Sequence, residues 1–269
     1  MRTLRFLPPL ALVLFISLAA VAGGPAPARA QTGQAADSPA GLWRKAVETC
    51  RANEDWYPER AAIVSEVRSG RKKLVSLTEM AFSFRPAAQG RLRVELESSR
   101  RNGVDTTEKM RSKPKVFGPL KGLAHGDVAT NSVSLSESPF DPGAQEGVSF
   151  ASREERQAIS GRSCRRFDFT FRAAVAEDGV AQGVTWSGRA WLEEESGRPV
   201  RLEFSIAPLP PRFRRAWIVY DYETEQPDRW VVKSVTISGQ GGILFIKRFF
   251  TVTTTFSDFR RNPATARIP

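Results

Sequence analysis

The stretch Arg162-Ser-Cys-Arg-Arg-Phe-Asp-Phe-Thr-Phe-Arg172 puts Phe167, Phe169 and Phe171 at every second position, with Asp168, Thr170 and Arg172 between them. In an extended chain successive side chains point to opposite faces, so the three rings share one face of a sheet and the polar residues share the other. That pattern recurs along the chain. Leu92, Val94 and Leu96 alternate with Arg91, Arg93, Glu95 and Glu97. Trp186, Gly188, Ala190 and Leu192 follow the phenylalanines, and Val200, Leu202, Phe204 and Ile206 alternate with Arg201, Glu203 and Ser205. Ala216, Ile218, Tyr220 and Tyr222 come next, then Val231, Val235 and Ile237 around Lys233, and a last run from Ile243 to Phe259. Earlier strands are predicted around Ile63–Val67, Leu74–Phe84 and Val104–Met110.

Turn signals fall between these runs: Ser69-Gly70, Arg101-Asn102-Gly103, Ser196-Gly197-Arg198-Pro199, Gln226-Pro227-Asp228 and Gly239-Gln-Gly-Gly242. Strands this closely spaced, each with one apolar face, predict an antiparallel meander. One helix precedes it. Ser38-Pro39 reads as an N-cap followed by proline in the first turn, and Leu42, Trp43, Ala46, Val47 and Cys50 recur at helical spacing up to about Asn53. The segment Lys113–Gly147 has weak periodicity and holds Pro114, Pro119, Pro139 and Pro142. It reads either as a lid or as a surface connection with a short helix near Leu120–Ala124.

Arg2 and Arg5, the apolar run Leu7–Val21 and the Ala28-Arg29-Ala30 site predict a signal peptide over residues 1–30, with Ala20-Val21-Ala22 as another cleavage site. The run is short for a bilayer core of ~30 Å, which weighs against an uncleaved anchor. Residues 31–40 then form a flexible lead-in, and residues 41–269 a single domain with 113–147 as its lid or long loop. The expected product is exported and soluble. Without Arg2, Arg5 and Arg29 the chain keeps 37 of its 40 cations against 29 acids, a net charge of +8. Such a surface suits anionic head groups or acidic polymers, or serves solubility alone. Cys50 and Cys164 are the only cysteines; they either pair as a disulfide or stay as two buried thiols.

The residues give little support to catalysis. The single histidine, His125, comes with no Gly-x-Ser-x-Gly elbow, and one histidine with two distant cysteines cannot supply clustered zinc or copper ligands. Glu193-Glu194-Glu195 and the Asp221/Glu223 pair could face a cleft, but acids at strand ends are ordinarily solvated. No phosphate-cradling glycine loop runs from a strand into a helix. The sequence therefore predicts no enzyme, no cofactor, no metal and no nucleic-acid partner.

Ile159-Ser-Gly161, Cys164-Arg-Arg-Phe-Asp-Phe169, Trp186-Ser-Gly-Arg-Ala-Trp-Leu192, Gly197-Arg-Pro-Val-Arg-Leu-Glu-Phe204, Val219-Tyr-Asp-Tyr222, Trp230-Val-Val-Lys-Ser-Val235 and Phe256-Ser-Asp-Phe259 form a connected pattern. With the N-terminal helix, it resembles the periplasmic lipoprotein-carrier superfamily (LolA/LolB-like), the outer-membrane lipoprotein-sorting type, most closely over residues 150–259. The resemblance implies a mainly β protein with few helices (α+β). In it a strongly curved antiparallel sheet of about 11 strands forms an incomplete barrel with a helical lid. It also implies non-enzymatic binding of a lipid or acylated ligand, such as a lipoprotein, on the concave face. A protein-interaction or sensor module of the same fold is the alternative.

Under that reading Phe167, Phe169, Trp186, Leu202, Phe204 and Ile218 are candidate wall residues, and Arg111, Lys113 and Lys115 a candidate rim for a head group. The expected molecule is a monomer that meets a membrane surface or envelope proteins transiently.

Overall fold

A computed structural model describes residues 38–87, 91–112, 127–129, 138–177, 180–209, 213–223, 226, 229–243 and 246–262; at 127–129, 173–177, 180–182, 243 and 246 only the backbone is described. The signal-peptide reading, Leu120–Ala124, His125, Lys113 and Lys115 lie outside the described residues.

Helix α1 (Pro39–Ala52) starts where the sequence predicts. The Ser38 hydroxyl accepts from the Gly41 N–H, Pro39 occupies the first turn, and Asn53 closes the helix by donating its N–H to the Cys50 carbonyl. Strands β1 (Trp56–Ser69), β2 (Leu74–Pro86), β3 (Arg91–Arg101) and β4 (Val104–Asp105) follow. After helix α2 (Thr107–Ser112) and strand β5 (Asp127–Ala129), a 3-10 helix (Pro142–Gly147) leads into the second group. That group is β6 (Val148–Ile159), β7 (Arg162–Glu177), β8 (Val180–Glu193), β9 (Pro199–Ala207), β10 (Phe213–Glu223), β11 (Val231–Ile243) and β12 (Ile246–Arg261).

The strands make one antiparallel sheet in the order β4-β3-β2-β1-β12-β11-β10-β9-β8-β7-β6, with β5 beside β3. Every neighbour along that path is also a neighbour in sequence except β1 and β12. Their pairing, from Trp56↔Arg261 to Ser69↔Arg248, joins the two meanders in mid-sheet. The ends of the path, β4 and β6, are not paired with each other, so the barrel is incomplete. Register shifts interrupt the ladder at Val67/Arg68, Ala81/Phe82, Asp221/Tyr222 and Trp191/Leu192. Such bulges strengthen the local twist and let a sheet bend.

Two local expectations change, and one strand was not foreseen. Beyond Asp105 the predicted strand Val104–Met110 gives way to helix α2, because the Asp105 carboxylate accepts from the Thr107 N–H and starts a turn. Strand β6 carries no apolar alternation, being exposed along most of its length, so nothing in its sequence marks it as a strand. Gly239-Gln-Gly-Gly242 is no turn but lies within β11. A Cβ on Gly239 would sit 2.4 Å from the Arg215 carbonyl and 2.5 Å from the Phe250 ring, so close approach accounts for the glycine.

One face of the sheet is buried. Phe167, Phe169 and Phe171 join Ile63, Phe82, Val94, Ile218, Ile237 and Val252 in a single apolar cluster that includes Leu42, Trp43, Ala46 and Cys50 of α1. The opposite, outer face carries ion-pair ladders, among them Arg153–Asp168 at 2.6 Å and Arg201–Asp221 at 2.7 Å.

Candidate functional site

The proposed wall residues come together on the inner face. Trp186 of β8 stacks on Phe204 of β9, with centroids 4.6 Å apart and planes 6° from parallel. Phe169 lies 6.4 Å from Phe204 and Phe171 5.4 Å from Trp186, while Tyr220 of β10 meets Phe204 edge-on at 5.4 Å. The register explains the stack. Phe204 is directly opposite Gly188, where a Cβ would fall 2.6 Å from the Phe204 Cα. Without that Cβ the indole can lie flat on the phenylalanine. Leu202 and Ile218 complete the surface and are fully buried.

What covers this wall is the protein itself. Trp43 projects from α1 onto Phe150, Phe140, Phe167 and Phe169, at 4.3, 4.9, 5.7 and 6.5 Å between centroids. Its indole N–H donates to Gln145 Oε1 at 3.2 Å, and the Gln145 amide donates in turn to the carbonyls of Pro139 and Asp141. Helix α1 and the segment 138–147 thus form one cover. The far end of α1 is held by Asn53, whose side-chain oxygen accepts from the Trp230 N–H at 2.8 Å. Gly197 (φ +74°) lies against Lys45, where a Cβ would be 2.6 Å from the Lys45 Cβ.

Trp43 was legible as an apolar helix position, though not as the residue that seals the wall. Phe140, fully buried in a segment without periodicity, gave no such signal.

Polar groups are buried beneath the cover. Burial first, and then the charge of Asp141, push the Cys50 thiol up to about 12, against a hydrogen bond from Ser138. The Tyr222 hydroxyl is pushed well above its ordinary value by burial and then by Cys50, and it has no hydrogen-bond partner among the described residues.

Both cysteines are free thiols. Cys50 belongs to the inner cluster, whereas Cys164 shares a smaller cluster with Ile159, Trp191 and Val200. Cys164 pairs across the ladder with Glu193, in the set that faces outward with Arg166 and Trp191. The sheet lies between the two thiols.

Of the proposed rim, Arg111 is described. Its guanidinium donates to the Leu96 carbonyl at 2.9 Å and to Glu108 at 2.8 Å, tying α2 to β3. Of the carboxylates weighed for catalysis, Glu193 pairs with Arg162, Glu194 with Arg156 and Arg165, Asp221 with Arg201, and Glu223 with Arg229 and Lys233. No group of three or more His, Cys, Asp or Glu among the described residues is placed to hold a metal ion. No helix among them is long and apolar enough to cross a membrane.

The fold and this site define a half-closed antiparallel β protein whose aromatic inner wall is sealed by a helix. No protein-family model and no curated protein matches the chain. Among solved structures it is similar to a DUF1329 family protein from Desulfovibrio piger, at 11% identity over 84% of this chain and 94% of that one, with a TM-score of 0.35. It is also similar to MucB in complex with MucA(peri), at 11% identity over 82% and 97%, with a TM-score of 0.22. A Pseudomonas aeruginosa MucA/MucB complex gives 10% identity over 82% and 98%, with a TM-score of 0.24. Identities and scores this low carry neither a site nor an activity to this chain.

Proposed function

We propose that the chain is a non-enzymatic binding protein of the cell envelope, allied to the lipoprotein-carrier (LolA/LolB-like) superfamily, that takes a lipid or acyl chain against its inner wall. The observation that carries this reading is the continuous surface of Phe169, Phe171, Trp186, Phe204 and Tyr220, with Trp43 of the covering helix against Phe169. Burying a large apolar side chain is worth about 1.5–3 kcal/mol, so an acyl chain replacing the cover would recover much of the same burial.

Native mass spectrometry of the purified protein tests the reading, together with titration by a dansylated fatty acid. Co-purifying lipid, or saturable uptake that Phe169→Ala weakens, is the expected result. A clean apo protein that takes up no probe would overturn it.

A second reading has its own support. Phe167 and Phe169 already meet Trp43, and Phe204 already meets Trp186, so the protein's own side chains pack against the wall. A protein-interaction or sensor module would need nothing more, and that is what a clean apo protein would favour.

A further inference from the structure

The outer face has a corner unlike the rest of it. Residues directly opposite in an antiparallel ladder point to the same face. The register therefore lines up Leu74, Arg68, Phe249, Gln240 and Arg215 in one outward row across β2, β1, β12, β11 and β10. The next outward row holds Leu77, Glu66, Thr251, Ser238 and Trp217, and the one after it Glu79, Val64, Thr253, Thr236 and Val219. Leu74 is 46% exposed, Val64 39%, Trp217 38% and Phe249 37%. With Val75 beside Leu74, most of the large apolar side chains exposed among the described residues fall in this corner.

Around them, cations outnumber the two acids of these rows, Glu66 and Glu79. The β1–β2 turn carries Arg71, Lys72 and Lys73, and Gly70 packs against Lys247 at the start of β12, next to Arg248. Arg215 stands at the start of β10. Arg68 is paired with Glu66, but these six cations enter no ion pair among the described residues. Elsewhere on the outer face arginines such as Arg153, Arg166 and Arg201 are matched with acids.

We infer that this corner is a docking surface for an anionic lipid bilayer. Tryptophan and phenylalanine settle at the level of the head groups, and long basic side chains around them reach the phosphates. An exposed apolar patch ringed by Lys and Arg that enter no ion pair among the described residues matches both layers of an anionic bilayer, the apolar boundary and the phosphates above it. Each basic residue near an anionic surface gains about five-fold in partitioning. The surface is on the outer face, across the sheet from the aromatic wall, so this inference stands whether or not the wall takes cargo.

Flotation of the full chain with vesicles of phosphatidylglycerol and phosphatidylcholine tests it. Variants carry the same N-terminus, so any contribution of residues 1–30 cancels between them. Binding is expected to anionic vesicles and to be much weaker to pure phosphatidylcholine. It should fall at least about ten-fold in Lys72→Glu/Lys247→Glu and by about ten-fold in Trp217→Ala/Phe249→Ala. The control Arg85→Glu, which reverses an exposed charge on β2 away from this corner, should bind as the parent does. All substituted side chains are surface-exposed, and circular dichroism verifies folding. Equal binding by parent and corner variants, an equal loss in the control, or retention on polyglutamate without vesicle binding would overturn the assignment.

Discussion

Trp43 of α1 stacks on Phe150 of edge strand β6, with ring centroids 4.3 Å apart and planes 7° from parallel. The same indole reaches Phe140, Phe167 and Phe169, so one side chain links the helix, the segment 138–147 and the aromatic wall. Removing it should uncouple all three.

Trp43→Ala is expected to destabilise the protein by about 3–5 kcal/mol, the range for a buried aromatic truncated to alanine. Trp43→Phe should recover most of that loss, since the ring contacts persist and only the bond to Gln145 goes. Guanidinium unfolding monitored by circular dichroism gives both values. A loss below 1 kcal/mol in the alanine variant would mean that α1 is not held by this contact.

Gly188 should not tolerate a side chain. Its added Cβ would come within 2.0 Å of the Glu203 carbonyl oxygen and 2.6 Å of the Phe204 Cα, both backbone atoms that cannot swing aside. Gly183, on the same strand, has nothing within 4 Å of that position. Overpacking of this kind costs about 1–3 kcal/mol or more, so Gly188→Ala should lower the melting temperature by several degrees, whereas Gly183→Ala leaves it near the parent value. Equal melting temperatures would contradict the close approach of β8 and β9.

Stability should fall on the alkaline side. The Cys50 thiol titrates at 9.0 when exposed but is pushed up to about 12 in the fold, and Cys164 is pushed up to about 11. Above pH 9 the unfolded chain releases protons that the folded chain retains, so the contribution of these groups is intact below that pH and is lost as pH rises toward 11 and 12. Cys50→Ala should flatten this alkaline decline, as read from denaturation midpoints across the window. In the native protein both thiols should resist a thiol-specific reagent and react only on unfolding.

Glu193 sets an opposite, acid-side dependence. Burial alone would raise its carboxyl, but the Ser196 hydroxyl and the Arg162 guanidinium, the latter at 2.5 Å, outweigh that and hold it below its ordinary 4.5. A depressed carboxyl contributes stability above pH 4.5 that is lost as pH falls through its folded value. Glu193→Gln should therefore be less stable than the parent at neutral pH and converge on it in acid. Parallel curves would show that the pair contributes nothing.

Much of this protein is determined locally. Ser38, Pro39 and the apolar spacing from Leu42 to Cys50 specify α1, and period-two alternation specifies which side chains of β7, β9 and β10 share a face. Those signals act over a few residues, so the chain alone carries them. Tertiary structure decided the rest. The β1–β12 pairing joins segments far apart in sequence, and with the neighbouring ladders it brings Leu74 to the same outer corner as Phe249 and Trp217. Which face α1 would cover, and on which side of the sheet each cysteine would fall, likewise depended on long-range register. Strand β6 and Phe140 had no periodic signature because ladder hydrogen bonds and packing partners distant in sequence hold them in place.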